Sequence, residues 1–168
     1  MQHQRILVIG GNGSGKTTFS IELAKKLNLP LLHLDKIGWR NTWEMTPREE
    51  FDRILLEELQ KPEWIIDGNY ARTLSKRLQY CDTVFYFDFP RLSCLLGVTS
   101  RIIKNYGKSR VDMGGYCPDR FDLSFYRNIL NFNKRNRRVI YSLLENTLNI
   151  EVVVFKNRRQ VKEYLDKI

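Results

Sequence analysis

The chain has 168 residues, the length of one domain built around one core and too short for two full domains. Apolar residues make up 42% and charged residues 28%, which excludes a disordered chain, and no uncharged apolar run approaches the ~20 residues of a membrane helix. The net charge of +9 is uneven: residues 91–140 hold 11 Lys+Arg against 3 Asp+Glu, and the rest of the chain holds 17 against 16. A basic concentration of that kind calls for a polyanion, either the phosphate chain of a nucleotide or a nucleic acid. Cys81, Cys94 and Cys117 are odd in number and lack CxxC spacing, so neither a disulfide framework nor a zinc cluster is expected, and a reducing cytoplasm is the expected location. The first apolar stretch, Ile6–Ile9, is too short for a secretory signal.

Arg5 to Ile9 is an apolar run ending in Gly10-Gly11 and reads as a fully buried strand. From Gly15 to Asn28, Phe19, Leu23 and Leu27 recur every four residues, an amphipathic helix closed by Asn28 and Pro30. Leu31 to Leu34 reads as a second strand ending at Asp35. Thr46-Pro47-Arg48-Glu49 has the form of a capping box with proline at the first helical position, and Phe51, Ile54, Leu55 and Leu59 mark the apolar face of the helix it opens. Trp64-Ile65-Ile66, leading into Asp67-Gly68, is a third strand, and Thr83 to Phe87, ending at Asp88, a fourth. Leu92, Leu95, Leu96, Thr99, Ile103 and Tyr106 mark a helix. Residues 107–122 form a basic, glycine-containing loop. Phe125, Ile129, Phe132, Val139, Ile140, Leu143 and Leu144 are core positions of a long helix, whose Lys134, Arg135, Arg137 and Arg138 read as a solvated charge run. Ile150 to Phe155 is the fifth strand, and Val161, Leu165 and Ile168 close with a short helix.

Short strands apolar on both faces, alternating with helices, imply a parallel sheet covered by helices. Ligands of such sheets bind at the carboxyl ends of the strands. Asp35, Asp67, Asp88 and the glycines from Gly10 onward all fall at those ends.

Gly10-Gly11-Asn12-Gly13-Ser14-Gly15-Lys16-Thr17 fits G-x-x-x-x-G-K-[ST] without deviation, and Thr18 follows it. Glycines let the backbone wrap a phosphate with its N–H groups pointing inward, and the helix N-terminus adds the positive end of its dipole. Lys16 can reach the β- and γ-phosphates of ATP, and the Thr17 hydroxyl can ligate Mg²⁺. An acidic residue ending a neighbouring strand holds the metal or its waters in enzymes with this loop, which points to Asp67 with Asp88 as a rival.

With these residues, the chain resembles the adenylate-kinase-like branch of P-loop phosphotransferases, and within it the DNA topology modulation (FlaR-related) proteins. The resemblance rests on the phosphate loop, on Trp64-Ile65-Ile66-Asp67-Gly68-Asn69-Tyr70, on Cys81-Asp82-Thr83-Val84-Phe85-Tyr86-Phe87-Asp88 and on Cys117-Pro118-Asp119-Arg120-Phe121. It implies a single P-loop kinase-like domain over residues 1–168, with a five-stranded parallel sheet in order 2-3-1-4-5, an acceptor-binding arm at 36–62 and a mobile lid at 107–122. It also implies residue roles. Arg72, in Asp67-Gly68-Asn69-Tyr70-Ala71-Arg72-Thr73, matches an arginine that holds the acceptor phosphate, with one extra residue in the motif. Arg101 resembles the lid-stem arginine that covers the nucleotide, and Arg120 and Arg127 resemble the pair that clamps the transferring phosphoryl group. With only Cys117 in the lid, a four-cysteine zinc lid is excluded. Asp35 resembles the aspartate with which sugar and shikimate kinases hold an acceptor hydroxyl.

His33 reads either as a packed histidine or as a site residue, and Trp39 and Trp43 either as core anchors or as stacking surfaces for a base. Two functions follow. One is an ATP-dependent kinase that transfers the γ-phosphoryl of MgATP to a nucleotide, a nucleoside or a phosphorylated sugar. The other is an ATP-binding, nucleic-acid-associated protein that modulates DNA topology through segment 91–140. The complete phosphate loop, and the lack of any helix-turn-helix, zinc-finger or RNA-recognition signature, favour the kinase.

Overall fold

A computed structural model describes residues 3–108 and 110–168, apart from the side chains of Asn133, Lys134 and Arg135. The first two residues of the expected charge run, Lys134 and Arg135, thus lie outside the described side chains. Five strands form one parallel sheet in the order β2-β3-β1-β4-β5: β1 Arg5–Gly10, β2 Leu31–His33, β3 Trp64–Asp67, β4 Thr83–Phe87 and β5 Glu151–Phe155. Among the described residues, seven α-helices connect and cover them: α1 Lys16–Leu27, α2 Leu34–Gly38, α3 Arg48–Leu59, α4 Ala71–Leu78, α5 Arg91–Asn105, α6 Leu123–Glu145 and α7 Arg158–Leu165. Side chains alternate along β1. Leu7 and Ile9 join a core with Phe51, Leu55, Leu74 and Ile140 from α3, α4 and α6. Ile6 and Val8 join the opposite core with Phe19, Val98, Ile102 and Leu165 from α1, α5 and α7. Phe19 packs edge-on against Phe85, Phe87 and Phe155, with centroids 5.0, 5.3 and 5.6 Å away.

The register aligns the strand ends. Val8 and His33 both pair with Asp67, and Gly10 pairs with Phe87. Each crossover therefore delivers its polar residues to one edge of the sheet.

Several elements differ from the sequence expectation. Strand β2 ends at His33, and Leu34 begins the short helix α2, so Asp35 lies in a helical first turn and not at a strand terminus. The capping box does not form: Pro47 occupies the N-cap of α3 with no side-chain cap bond, and the Thr46 N–H donates instead to Gly38 O at 3.1 Å. Helix α5 keeps Leu95 against the core but turns most of the expected stripe outward. Cys94, Val98 and Ile102 face the core, while Leu92, Leu96 and Ile103 are 72%, 71% and 74% exposed.

The phosphate loop explains the rotation of α5. A Cβ on Gly13 would strike Cys94 O and Val98, and one on Gly97 would strike Gly13 O, so only small side chains fit between helix and loop. On α6 the apolar pattern holds at Ile129, Ile140 and Leu144, but Val139 is exposed. Arg137, expected in solvent, pairs with Asp88 at 2.9 Å.

The orientation of α5 sets a contrast. Ile102→Ala is expected to cost about 2–5 kcal/mol, and Leu96→Ala to stay within ~0.5 kcal/mol of wild type. Urea unfolding of the two variants measures both. A larger loss at Leu96 than at Ile102 would contradict the packing described.

Candidate active site

The phosphate loop leaves β1 at Gly10, whose φ of +142° is open only to glycine and whose Cβ would lie 2.5 Å from Phe87 O. Asn69, following β3, pins the start of the loop. Its Oδ1 accepts from Gly10 N–H at 2.7 Å, and its Nδ2 donates to Gly10 O. Ser14 Oγ and Lys16 Nζ both donate to Gly11 O, at 2.7 and 2.9 Å, so the loop curls round its own lysine. Lys16 is buried, and that desolvation lowers its pKa against the pull of Asp67 and Asp35.

Beside the loop, Asp67 ends β3 at the level of His33 on β2. His33 Nδ1 lies 3.0 Å from Asp67 Oδ2, with both side chains buried. His33 is thus buried, holds the Asp67 carboxylate and also lines the cavity. Thr17 Oγ1 stands 3.3 Å from the same Oδ2, while Asp67 Oδ1 is buried with no hydrogen-bond partner. An orphaned carboxylate oxygen beside a hydroxyl, both hard donors, fits Mg²⁺. Among the described residues no three His, Cys, Asp or Glu side chains form a metal cage of their own. Magnesium bound by one or two side chains together with substrate phosphates needs none. Asp88, the rival, is taken up elsewhere: Lys156 Nζ, Tyr141 OH and Arg137 Nη2 reach its Oδ2 at 2.5, 2.8 and 2.9 Å, and it does not line the cavity.

The cavity over this edge measures 1320 Å³. Ordinary small-molecule pockets span roughly 300–1,000 Å³, so it has room for two ligands side by side. Residues 12–18 form one wall; Asp35, Trp39, Trp43 and Tyr70 form the other. Asp35 accepts from Tyr70 OH at 3.0 Å, and Arg110 Nη2 lies 3.4 Å from its Oδ2. Its side chain stays 37% accessible and lines the cavity. Desolvation there raises its pKa, and Arg110 and Tyr70 offset that only in part. Trp39 and Trp43 meet edge to face at 5.6 Å, and the Arg120 guanidinium lies 6.0 Å from the Trp43 ring. Arg101 also lines the cavity and donates to Asp119 Oδ1 at 3.1 Å; burial and the neighbouring Arg110 lower its pKa.

Two expected residues do not come to the cavity. Arg72 binds both oxygens of Asp52 at 2.7 Å on the surface and borders a separate cleft of 100 Å³. The extra residue in its motif sets the phase of α4, which turns Thr73, Leu74, Arg77 and Leu78 inward and Arg72 outward. Buried Arg77 instead ties down the preceding turn, donating to the carbonyls of Gly68, Asn69 and Tyr70. Arg127 is exposed on α6, whose cavity side is formed by Ser124, Phe125, Asn128 and Phe132.

The sequence reading counted Arg110 only among the basic residues of the lid, with no role of its own, and missed Asp112. Arg110 grips Asp112 with Nε to Oδ1 and Nη2 to Oδ2, both at 2.8 Å, and Asp112 Oδ2 lies 3.0 Å from Thr17 Oγ1. In a basic loop they look like any solvated i,i+2 pair; only the return of the loop to the sheet edge distinguishes them. That return is anchored on residues 36–43. Gly114 leaves no room for a Cβ against Lys36 O and Trp39 O, Thr42 N–H donates to Tyr116 O at 3.0 Å, and Tyr116 N–H to Asn41 Oδ1 at 2.7 Å.

No protein-family model matches the chain, and no curated protein matches it in sequence. Solved structures do match. Shikimate kinase from Acinetobacter baumannii, in complex with shikimate, aligns over 98% of this chain and 90% of its own, with a TM-score of 0.63 and 16% identity. Shikimate kinase from Bacteroides thetaiotaomicron aligns over 98% and 95%, with a TM-score of 0.58 and 15% identity. The chain therefore has the P-loop NTPase fold of the shikimate kinases, with its five parallel strands in the order 2-3-1-4-5.

Proposed function

We propose that the protein is an ATP-dependent kinase that transfers the γ-phosphoryl group of MgATP to a hydroxyl of a small, anionic acceptor. The observation that carries this reading is one cavity with a complete phosphate loop on one wall and the Asp35 carboxylate on the other. Residues 10–18 bind the phosphate chain through backbone N–H groups, and Lys16 neutralises its far end. Thr17 and Asp67 are the magnesium-holding pair; the ion supplies charge neutralisation on the transferring phosphate. Arg101 covers the nucleotide. Asp35 orients the acceptor hydroxyl and takes its proton. Arg120, which has no carboxylate partner among the described residues, holds the acceptor's anionic group. Residues 36–62 form the acceptor arm and residues 107–122 the lid. Trp39 and Trp43, meeting edge to face, offer the acceptor an aromatic corner on which one ring can stack, which suits a nucleotide or nucleoside base better than a phosphorylated sugar.

The basic segment supports a nucleotide over a nucleic acid as the polyanion. Arg101, Lys104, Arg110 and Arg120 line the cavity, and Arg137 is paired with Asp88. No helix of the described residues is long and apolar enough to cross a membrane.

Lys16→Ala is expected to weaken MgATP binding about 10- to 100-fold, the loss of one charge-assisted bond worth ~1.5–3 kcal/mol. Its burial already disfavours its charge, so thermal stability is expected to hold. Calorimetric titration with MgATP measures the affinity, and wild-type affinity in the variant would remove the phosphate-loop assignment.

The acceptor follows from a screen of hydroxyl compounds with radiolabelled ATP. With the acceptor so found, Asp35→Asn is expected to slow the single-turnover chemical step about 10²–10⁴-fold while ATP binds normally. The native pKa of Asp35 lies above its unfolded value. Its ionisation therefore costs the fold stability above the native pKa and nothing below the unfolded one, so the asparagine variant is expected to be as stable as wild type or more so at pH 7. The wild-type rate should rise with pH through a carboxyl titration displaced above the ordinary range. A stability loss with an intact rate per folded molecule would make Asp35 a structural residue.

A further inference from the structure

We propose that Arg110 and Asp112, in the loop that follows α5, complete the metal–nucleotide site. Asp112 accepts the Thr17 hydroxyl proton and holds Arg110 where the phosphoryl group passes from nucleotide to acceptor. This inference rests on the reading of the cavity as a MgATP site with its acceptor at Asp35.

A threonine hydroxyl has one proton and two lone pairs. To ligate a cation, its proton must point away into an acceptor. Two carboxylate oxygens compete for the Thr17 proton, and Asp112 Oδ2 at 3.0 Å is nearer than Asp67 Oδ2 at 3.3 Å. Donation to Asp112 leaves the Thr17 lone pairs free and spares the Asp67 carboxylate, whose Oδ1 has no partner, for the metal side. Asp112 is itself held still: its side chain is 7% exposed, and the Arg110 fork engages both of its oxygens at 2.8 Å.

The same fork sets the position of Arg110. Its Nη2 lies 3.4 Å from Asp35 Oδ2, beyond the ordinary N–H···O range, and its Nη1 has no hydrogen-bond partner among the described residues. Thr17, Asp112, Arg110 and Asp35 thus form one chain from the nucleotide wall to the acceptor wall, with donors still open at its centre. A guanidinium there meets the equatorial oxygens of a phosphoryl group in flight, where charge neutralisation helps most. Arg110 is accordingly the catalytic residue and Asp112 the positioning residue.

Metal binding tests this without turnover. Mn²⁺ is titrated into wild type, Asp112→Asn and Asp112→Glu saturated with a non-hydrolysable ATP analogue, and free Mn²⁺ is read by electron paramagnetic resonance. Analogue affinity is measured separately in EDTA. Asp112→Asn is expected to weaken Mn²⁺ about 10- to 100-fold, as loss of an outer-shell partner does, with analogue affinity in EDTA unchanged. Asp112→Glu, which keeps the charge, should lose less. Arg110→Ala is expected to keep Mn²⁺ affinity within a few-fold and to lower the single-turnover rate at least ~10³-fold, with Arg110→Lys only partly restoring it. Wild-type Mn²⁺ affinity in Asp112→Asn would overturn the inference and leave the kinase reading standing. Parallel losses of Mn²⁺ affinity, EDTA-measured affinity and melting temperature would overturn it in favour of a loop-ordering role. A wild-type protein that binds no Mn²⁺–analogue at all would overturn the kinase reading itself.

Discussion

The close approach of the phosphate loop to its neighbours governs the rest of the sheet edge. Gly10 lies against Phe87 and Gly13 against the backbone of α5, and neither contact survives a Cβ. Three consequences follow. The helix after β4 must show the loop its small residues, Cys94, Gly97 and Val98, and so carries Leu92, Leu96 and Ile103 outside. Asn69 must close the gap on the β3 side, which requires a sharp turn after Asp67, held by buried Arg77. Thr17, one residue into α1, then meets Asp67 because α1 starts where the loop ends.

The second constraint is electrostatic. Asp35, Asp67 and Asp112 stand round one cleft with Lys16, Arg101 and Arg110, and Lys16, Asp67 and Asp112 are buried. Charges of one sign gathered there would repel each other strongly. The structure alternates them instead. Arg110 sits between Asp112 and Asp35, and Lys16 feels both Asp67 and Asp35. Burial drives the Asp35 pKa up, whereas at Asp112 the hydrogen bond and charge of Arg110 outweigh burial and hold the carboxyl below its ordinary value. Two aspartates on one loop–arm junction are thus tuned apart, one toward proton uptake and one toward permanent charge.

The sequence carried most of the fold because its strands are buried on both faces and so read as short apolar runs. Thr83–Phe87 is found as expected, and the phosphate loop is contiguous and needs no tertiary information. Failures came where a non-local contact overrides local pattern. Leucine spacing on α5 pointed to the wrong face because the loop's demand for small residues is invisible from within the helix. Helix α4 was overlooked: its outward face carries no large apolar residue and its inward face includes an arginine, Arg77. Arg72 was assigned by motif spacing, and one inserted residue rotates an α-helical position by about 100°, enough to move it from cleft to surface. Asp112, and the place that it gives Arg110 within the basic lid, were unreadable for the opposite reason, since a loop residue's address is set by where the loop lands.

That landing couples the two halves of the cavity. Gly114 and Tyr116 dock on residues 36–43, where Thr42 and Trp43 adopt consecutive left-handed conformations at φ 59° and 64°. Such backbone is costly for residues with a Cβ and persists only when its surroundings enforce it. Here the enforcement comes from the loop, through Tyr116 O on Thr42 N–H and Asn41 Oδ1 on Tyr116 N–H. Four residues before Tyr116, Asp112 reaches Thr17. One short segment therefore touches both Thr17 and the backbone that carries Trp43, two residues that line the same cavity. It cannot lift from Thr17 by more than the reach of a few residues without withdrawing its contacts on residues 36–43. The phosphate loop and residues 36–43 are in this way tied to each other through one loop.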